Sequence, residues 1–240
     1  MDQSQITYRW PADGALRRAV LVLPGGAYAA TEASYEKEAI AAWLAERGIA
    51  SATLDYRVAP HLHPAALQDA RAALAELRSA VQVRSAAPVA VGVWGFSAGG
   101  HLAGLLATDE TPRPDFLIVA YPIVSLDTAD THQESLHNLL GLAPAPALLT
   151  ALSVDKRVDA TTPQSFLVHS EDDEVVPPAH SLRLYSALRA RGVQAELHVF
   201  RTGGHGSGLV TGRWPAPGWL DLVEHWIEEL QLPPNGGSDM

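Results

Sequence analysis

The sequence contains no cysteine. That absence removes disulfides, thiolate zinc sites, iron-sulfur clusters and a cysteine nucleophile, and it leaves oxygen nucleophiles for any covalent chemistry. No uninterrupted apolar run approaches the roughly 20 residues needed to span a bilayer, and Met1-Asp2-Gln3-Ser4-Gln5-Ile6 lacks a basic segment followed by an apolar core. A soluble, cytoplasmic protein with no membrane partner is the expectation. Positive charge is also scarce. Lys and Arg total 17 against 27 Asp and Glu, for a formal net charge of -10, and the cations are scattered. No basic stripe is available for phosphate backbones, so nucleic acid is not an expected partner. Low-complexity tracts are missing as well. With 47% hydrophobic and 18% charged residues, the 240-residue chain has ordinary globular composition. It is long enough for one large domain, expected over residues 1–232, with a frayed tail over 233–240 around Pro233-Pro234-Asn235-Gly236-Gly237-Ser238.

What the chain does have is alternation. Apolar runs at Ala19-Val20-Leu21-Val22-Leu23, Ala50-Ser51-Ala52-Thr53-Leu54, Val89 to Trp94 and Phe116-Leu117-Ile118-Val119-Ala120 read as buried strands. Helical stretches follow the first three, from about Ser34 to Arg47 before Gly48, from Ala65 to about Ala80, and from about His101 onward. Ser165-Phe166-Leu167-Val168-His169 and Glu196-Leu197-His198-Val199-Phe200 read as the last two strands, separated by a helix that Pro178 opens and Gly192 closes. A final helix is expected from about Trp219 to Leu230, and a short helical excursion outside the sheet between Asp127 and Thr162. Repeated βα units define an α/β, doubly wound, mostly parallel sheet with helices on both faces, in which ligands bind at the carboxyl ends of strands.

Those ends carry the chemical residues. Gly95-Phe96-Ser97-Ala98-Gly99 lies between a strand and a helix, the context of a nucleophile elbow that presents a serine hydroxyl above the sheet edge. A free serine is a poor nucleophile, so Ser97 needs a general base, and that base needs an orienting carboxylate. In the expected order serine, acid, histidine, the acid falls within Glu171-Asp172-Asp173-Glu174, and His205 in Gly203-Gly204-His205-Gly206 supplies the base. Most of that acidic turn is expected to be solvated, since one carboxylate suffices for the imidazole. Leu23-Pro24-Gly25-Gly26-Ala27-Tyr28 follows the first strong strand and fits an oxyanion loop. The N–H groups of Gly26 and Ala27, with that of Ala98 after the serine, are its expected donors.

Other features read as structural. His61 and His63 lack the third ligand that a metal site requires, so no metal is assigned. His169, His198 and His225 read as structural histidines, Asp55-Tyr56-Arg57 as a loop brace, and Trp43, Trp94, Trp219 and Trp226 as core or interface aromatics.

Together these segments, with Leu54 through Pro60, Asn138-Leu139-Leu140-Gly141 and Phe166 through Pro177, resemble the α/β-hydrolase fold. Within it they are similar to acetyl-xylan, feruloyl and hormone-sensitive-lipase-like esterases. The chain departs from that pattern at Pro24, where a histidine is usual, at Ala27, where a third glycine is usual, and at Ser170, where glycine is frequent. The resemblance selects Asp173 over Asp172, because the acid stands four residues after the strand-end histidine. It implies a serine carboxylesterase acting on short acyl groups, such as acetyl on a sugar, with a small-molecule ester as partner and no cofactor. Two alternatives stand beside it: amide hydrolysis of the arylformamidase or oligopeptidase type, and a catalytically inactive binding module.

Overall fold

In chain order, the strands of the computed structural model are β1 (Gln5–Arg9), β2 (Arg18–Leu23), β3 (Ile49–Asp55), β4 (Ala90–Phe96), β5 (Leu117–Ala120), β6 (Ser165–Ser170) and β7 (Ala195–Phe200). The structure describes residues 3–12, 14, 16–31, 34–110, 112–206 and 218–230. The expected tail over 233–240 lies outside them. The strands form one sheet in the order β1-β3-β2-β4-β5-β6-β7. All neighbours run parallel except β1, which is antiparallel to β3. This is the doubly wound sheet expected from the repeated βα units. β1 is an addition to the sequence reading: Ile6 and Tyr8 alternate with exposed Gln5, Thr7 and Arg9, too few apolar residues to mark a strand.

Helices α1 (Glu38–Ala45), α2 (Ala65–Arg84), α3 (Ser97–Ala107), α7 (Ala179–Ala190) and α8 (Trp219–Glu229) cover the sheet. Side chains alternate across the strands, so two cores form. One gathers Leu21, Val93, Val119 and Leu167 with α2, α3 and α7; the other gathers Val22, Trp94, Ile118 and Phe166 with α1 and α8. Trp94 packs edge-on against both Trp43 and Trp219, placing these three tryptophans in the second core. The excursion is helical, as expected, and comprises α4 (Gln133–Leu140), α5 (Pro146–Ala151) and α6 (Val154–Arg157). Among the described residues no helix is long and apolar enough to cross a membrane.

The helix expected from Ser34 to Arg47 is instead broken. A 3-10 turn covers Ser34–Glu36, and α1 starts only after Lys37, whose φ of -113° and ψ of -89° leave the helical region. The break frees Glu36 to turn inward, where it is 2% exposed. Strand order reverses between β2 and β4, which are neighbours in the sheet although β3 separates them in sequence. The crevice outside their carboxyl ends is therefore where such a sheet binds ligands. Leu23 of β2 pairs with Gly95 of β4, so the loop starting at Pro24 and the turn carrying Ser97 leave the sheet side by side.

Candidate active site

β4 ends at Phe96 in extended geometry and α3 begins at Ser97, which adopts a left-handed φ of 51°. The turn thus concentrates its strain on the serine itself, a placement typical of functional positions. Its two flanking glycines serve close approach instead. A Cβ on Gly95 would lie 2.2 Å from the Gly99 carbonyl oxygen, and one on Gly99 would lie 2.1 Å from that of Leu23.

Ser97 Oγ is 2.8 Å from His205 Nε2, and His205 Nδ1 is 2.7 Å from Asp173 Oδ2. The structure brings together three side chains that are far apart in the chain, from the ends of β4, β6 and β7. His205 sits in a loop where Gly203, Gly204 and Gly206 all have positive φ. Asp173 is 4% exposed, and its Oδ1 accepts the N–H groups of Val175 and Val176 at 3.0 and 2.9 Å. Burial opposes its charge, but hydrogen bonds from His169, His205 and the Val176 amide outweigh burial and hold the carboxyl well below the usual carboxylate range.

The neighbouring carboxylates separate by position. Glu171, Asp172 and Glu174 are exposed, as expected for a solvated acidic turn. Asp172 nevertheless has a definite partner, since its Oδ1 accepts the Gly204 N–H at 2.8 Å and so ties down the loop bearing His205. His169 is a buried histidine linked to Ser181 and the Val176 carbonyl, yet its Nε2 also lies 3.2 Å from Asp173 Oδ2. It supports the acid, a role its position alone did not reveal.

The loop from Pro24 to Tyr28 is held through the Gly25 N–H and the carbonyls of Pro24, Gly26, Ala27 and Tyr28. Tyr56 donates to the Pro24 carbonyl at 2.7 Å, the Gly25 N–H donates to Glu36 at 2.6 Å, and the Gly26 carbonyl accepts from Ala29 and Ala30. Asn138 of α4 donates to the Ala27 carbonyl at 3.0 Å, and Ala59 N–H to that of Tyr28 at 2.8 Å. Ala27 and Tyr28 have φ of 55° and 57°, so these contacts keep two non-glycine residues in the left-handed region. No described residue accepts the N–H of Gly26 or Ala27. Ala98 lies in the first turn of α3, where no helical carbonyl precedes its N–H. Donors held fixed before substrate arrives need no reorganisation during reaction.

Tyr28 is tied to the scaffold by His101, whose Nδ1 lies 2.8 Å from the Tyr28 hydroxyl and whose Nε2 lies 2.9 Å from the Leu152 carbonyl. Donation of Nε2–H to that carbonyl leaves Nδ1 to accept from the tyrosine. Burial pushes the His101 imidazole down to about 4 from its ordinary 6.5. The unfolded chain therefore takes up a proton that the fold excludes between those values, so this contribution to stability is complete above pH 6.5 and is lost as pH falls toward 4. It amounts to about 3 kcal/mol at roughly 1.4 kcal/mol per pKa unit. Denaturant unfolding at pH 7 and pH 4.5 should show a smaller acid loss for His101→Gln than for the wild type; equal losses would refute the assignment.

A doubly wound sheet with a serine at the tip of its β4–α3 turn, within reach of an aspartate-bound histidine, defines the α/β-hydrolase class. The prolyl oligopeptidase family matches residues 35–230, and the chain belongs to that family. The chain is 30% identical over 222 residues to an acetylxylan esterase of Xylanibacter ruminicola, a match covering 90% of this chain and 46% of that protein. It is 33% identical over 211 residues to endo-1,4-beta-xylanase B of Butyrivibrio fibrisolvens, covering 81% of this chain and 33% of that one. It thus spans about half or less of the length of these relatives. The crystal structure of an acetyl ester-xyloside bifunctional hydrolase from Caldicellulosiruptor lactoaceticus matches with a TM-score of 0.87 and 36% identity, over 94% of this chain and 87% of that chain.

Proposed function

We propose that this protein is a serine carboxylesterase that hydrolyses short acyl esters, acetyl esters of carbohydrates in particular, through an acyl-enzyme. The observation that carries this reading is the continuous line from Ser97 Oγ to His205 Nε2 at 2.8 Å and from His205 Nδ1 to Asp173 Oδ2 at 2.7 Å. Ser97 Oγ attacks the ester carbonyl as His205 Nε2 removes its proton, while the Asp173 carboxylate holds the ring with Nδ1 protonated. Charge developing on the carbonyl oxygen meets the N–H groups of Gly26, Ala27 and Ala98. His205 then returns the proton to the leaving alkoxide, and the same groups activate water to release the acid. No step draws on a cofactor. The acetyl and carbohydrate preference is supported by the relatives named for acetylxylan and acetyl ester-xyloside chemistry.

Amide hydrolysis uses the same groups, and the family includes enzymes named for oligopeptides. A substrate panel separates the two readings. Acetylated xylo-oligosaccharides and aryl acetates are expected to be turned over in preference to formylkynurenine and aminoacyl amides, with a fluorophosphonate labelling one serine. Preference for an amide would reverse the choice of bond, and failure to label would support a binding module.

A further inference from the structure

Glu36 takes no part in the proton transfer just described, yet it stands between two elements of that site. Its side chain is almost wholly buried, and both carboxylate oxygens accept. Oε2 takes the Gly25 N–H at 2.6 Å and Oε1 the Tyr121 hydroxyl at 2.7 Å, lengths expected when the acceptor is charged. Gly25 immediately precedes the two loop donors, and a Cβ placed on it would lie 3.1 Å from Ser97 Cβ and 3.0 Å from Glu36 Oε2. Gly25 therefore lies between the carboxylate and the serine.

Tyr121 makes the other connection. Its ring meets that of His205 edge-on, with centroids 5.1 Å apart, and its backbone is held at φ 40°. On the 3-10 turn itself, the Tyr35 hydroxyl lies 3.5 Å from where a Cβ on Gly206 would stand, so the turn bearing Glu36 also packs beside the histidine loop. Ala27, Tyr28, Ser97 and Tyr121 are the non-glycine residues with positive φ among those described; Tyr121 binds this carboxylate, Ser97 lies beside Gly25, and Ala27 and Tyr28 follow Gly25 in its loop.

Resting on the esterase reading above, we propose that Glu36 is a positioning residue: through Gly25 and Tyr121 it locks the oxyanion loop to the His205 ring, and its charge steadies the imidazolium formed as Ser97 attacks. Desolvation raises the Glu36 carboxyl, while the Tyr121 and Gly25 hydrogen bonds and the charge of His205 oppose that rise. Among the described residues, the ionisable groups facing His205 are Asp173, Tyr121, His132 and Glu36, with the Tyr35 hydroxyl beside Gly206 of its loop, and those facing Glu36 are Tyr121, Tyr56 and His205. Among these, Asp173 lies in direct contact with the imidazole, so Glu36 adds to a field that Asp173 dominates.

The test is Glu36→Gln in the full chain, with kcat and KM measured against pH on an aryl acetate. The amide keeps the volume and can still accept from Gly25, but the charge is gone. Expected are a fall in kcat of about 10- to 100-fold, less than removal of a direct oxyanion donor, and a KM changed little. The acid limb of kcat/KM should move to lower pH, because an anion that favours the protonated imidazole has been removed. A wild-type kcat, or a lowered kcat with an unmoved acid limb, overturns the proposal. Should Glu36→Gln not fold, Tyr121→Phe removes one of the two links; reduced kcat at unchanged KM supports the proposal and wild-type kcat overturns it. Ser97→Ala run alongside separates the two claims. If it remains active, the esterase reading itself has failed; if it is dead while Glu36→Gln is normal, only the role of Glu36 has.

Discussion

Ser97→Ala is expected to lower kcat for aryl acetate hydrolysis by on the order of 10⁶-fold, the loss seen when the nucleophile of such a constellation is removed. The size follows from the geometry. Ser97 Oγ is the atom aligned with His205 Nε2 at 2.8 Å, at the head of a helix and beside Gly25, where an added Cβ would lie 3.1 Å from Ser97 Cβ. The alanine methyl occupies the same space without the oxygen, and φ of 51° is no harder for alanine than for serine, so fold stability should change little. The N–H groups of Gly26, Ala27 and Ala98, proposed as oxyanion donors, remain, so a residual rate above that in water is expected. Loss of fluorophosphonate labelling with an unchanged thermal midpoint is the accompanying signature. Hydrolysis at the wild-type rate would exclude Ser97 as the nucleophile.

Asp173→Asn is expected to reduce kcat by about 10⁴-fold, through the tautomer of the histidine and not through loss of contact. Oδ1 accepts two backbone N–H groups, which fixes the asparagine oxygen at that position and turns its NH₂ toward His205 Nδ1. Nδ1 must then accept, the ring proton moves to Nε2, and the atom facing Ser97 can no longer take a proton. The hydrogen bonds that hold the Asp173 carboxyl below the usual carboxylate range also keep it ionised at neutral pH. Protonation of this acid therefore does not set the acid limb of kcat/KM. Asp172→Asn supplies the control, because an amide oxygen still accepts from Gly204 and the loss should be far smaller. Equal losses at the two positions would mean that the carboxylates act as a pair.

Much of the site is legible in the residues alone because a nucleophile elbow has strict local demands. A strand, a serine between glycines and a helix lie within a few positions of one another, and the structure turns the chain there as the pattern requires, although the left-handed φ falls on Ser97 while Gly95 and Gly99 admit close backbone approach. The βα alternation likewise announces a parallel sheet, since both faces of each inner strand must be apolar. Glu36 gave no such signal. In sequence it is one acid among several in a segment that reads as a helix, and its importance arises from a backbone break at Lys37 that no propensity rule marks. Tyr121 was equally silent, because its partner Glu36 comes from another element.

Local order thus carries the class of chemistry: oxygen nucleophile, sheet type, the succession serine, acid, histidine, and the glycine-bearing loops that follow strands. It cannot rank Asp172 against Asp173, which are identical in type and adjacent. Packing distinguishes them by burying one against His169, His205 and two valine amides and leaving the other at the surface on Gly204. The reason is physical. Hydrogen bonds and burial depend on which distant backbones come together, and that is settled only when β2, β4, β6 and β7 lie in register and their carboxyl ends share one crevice.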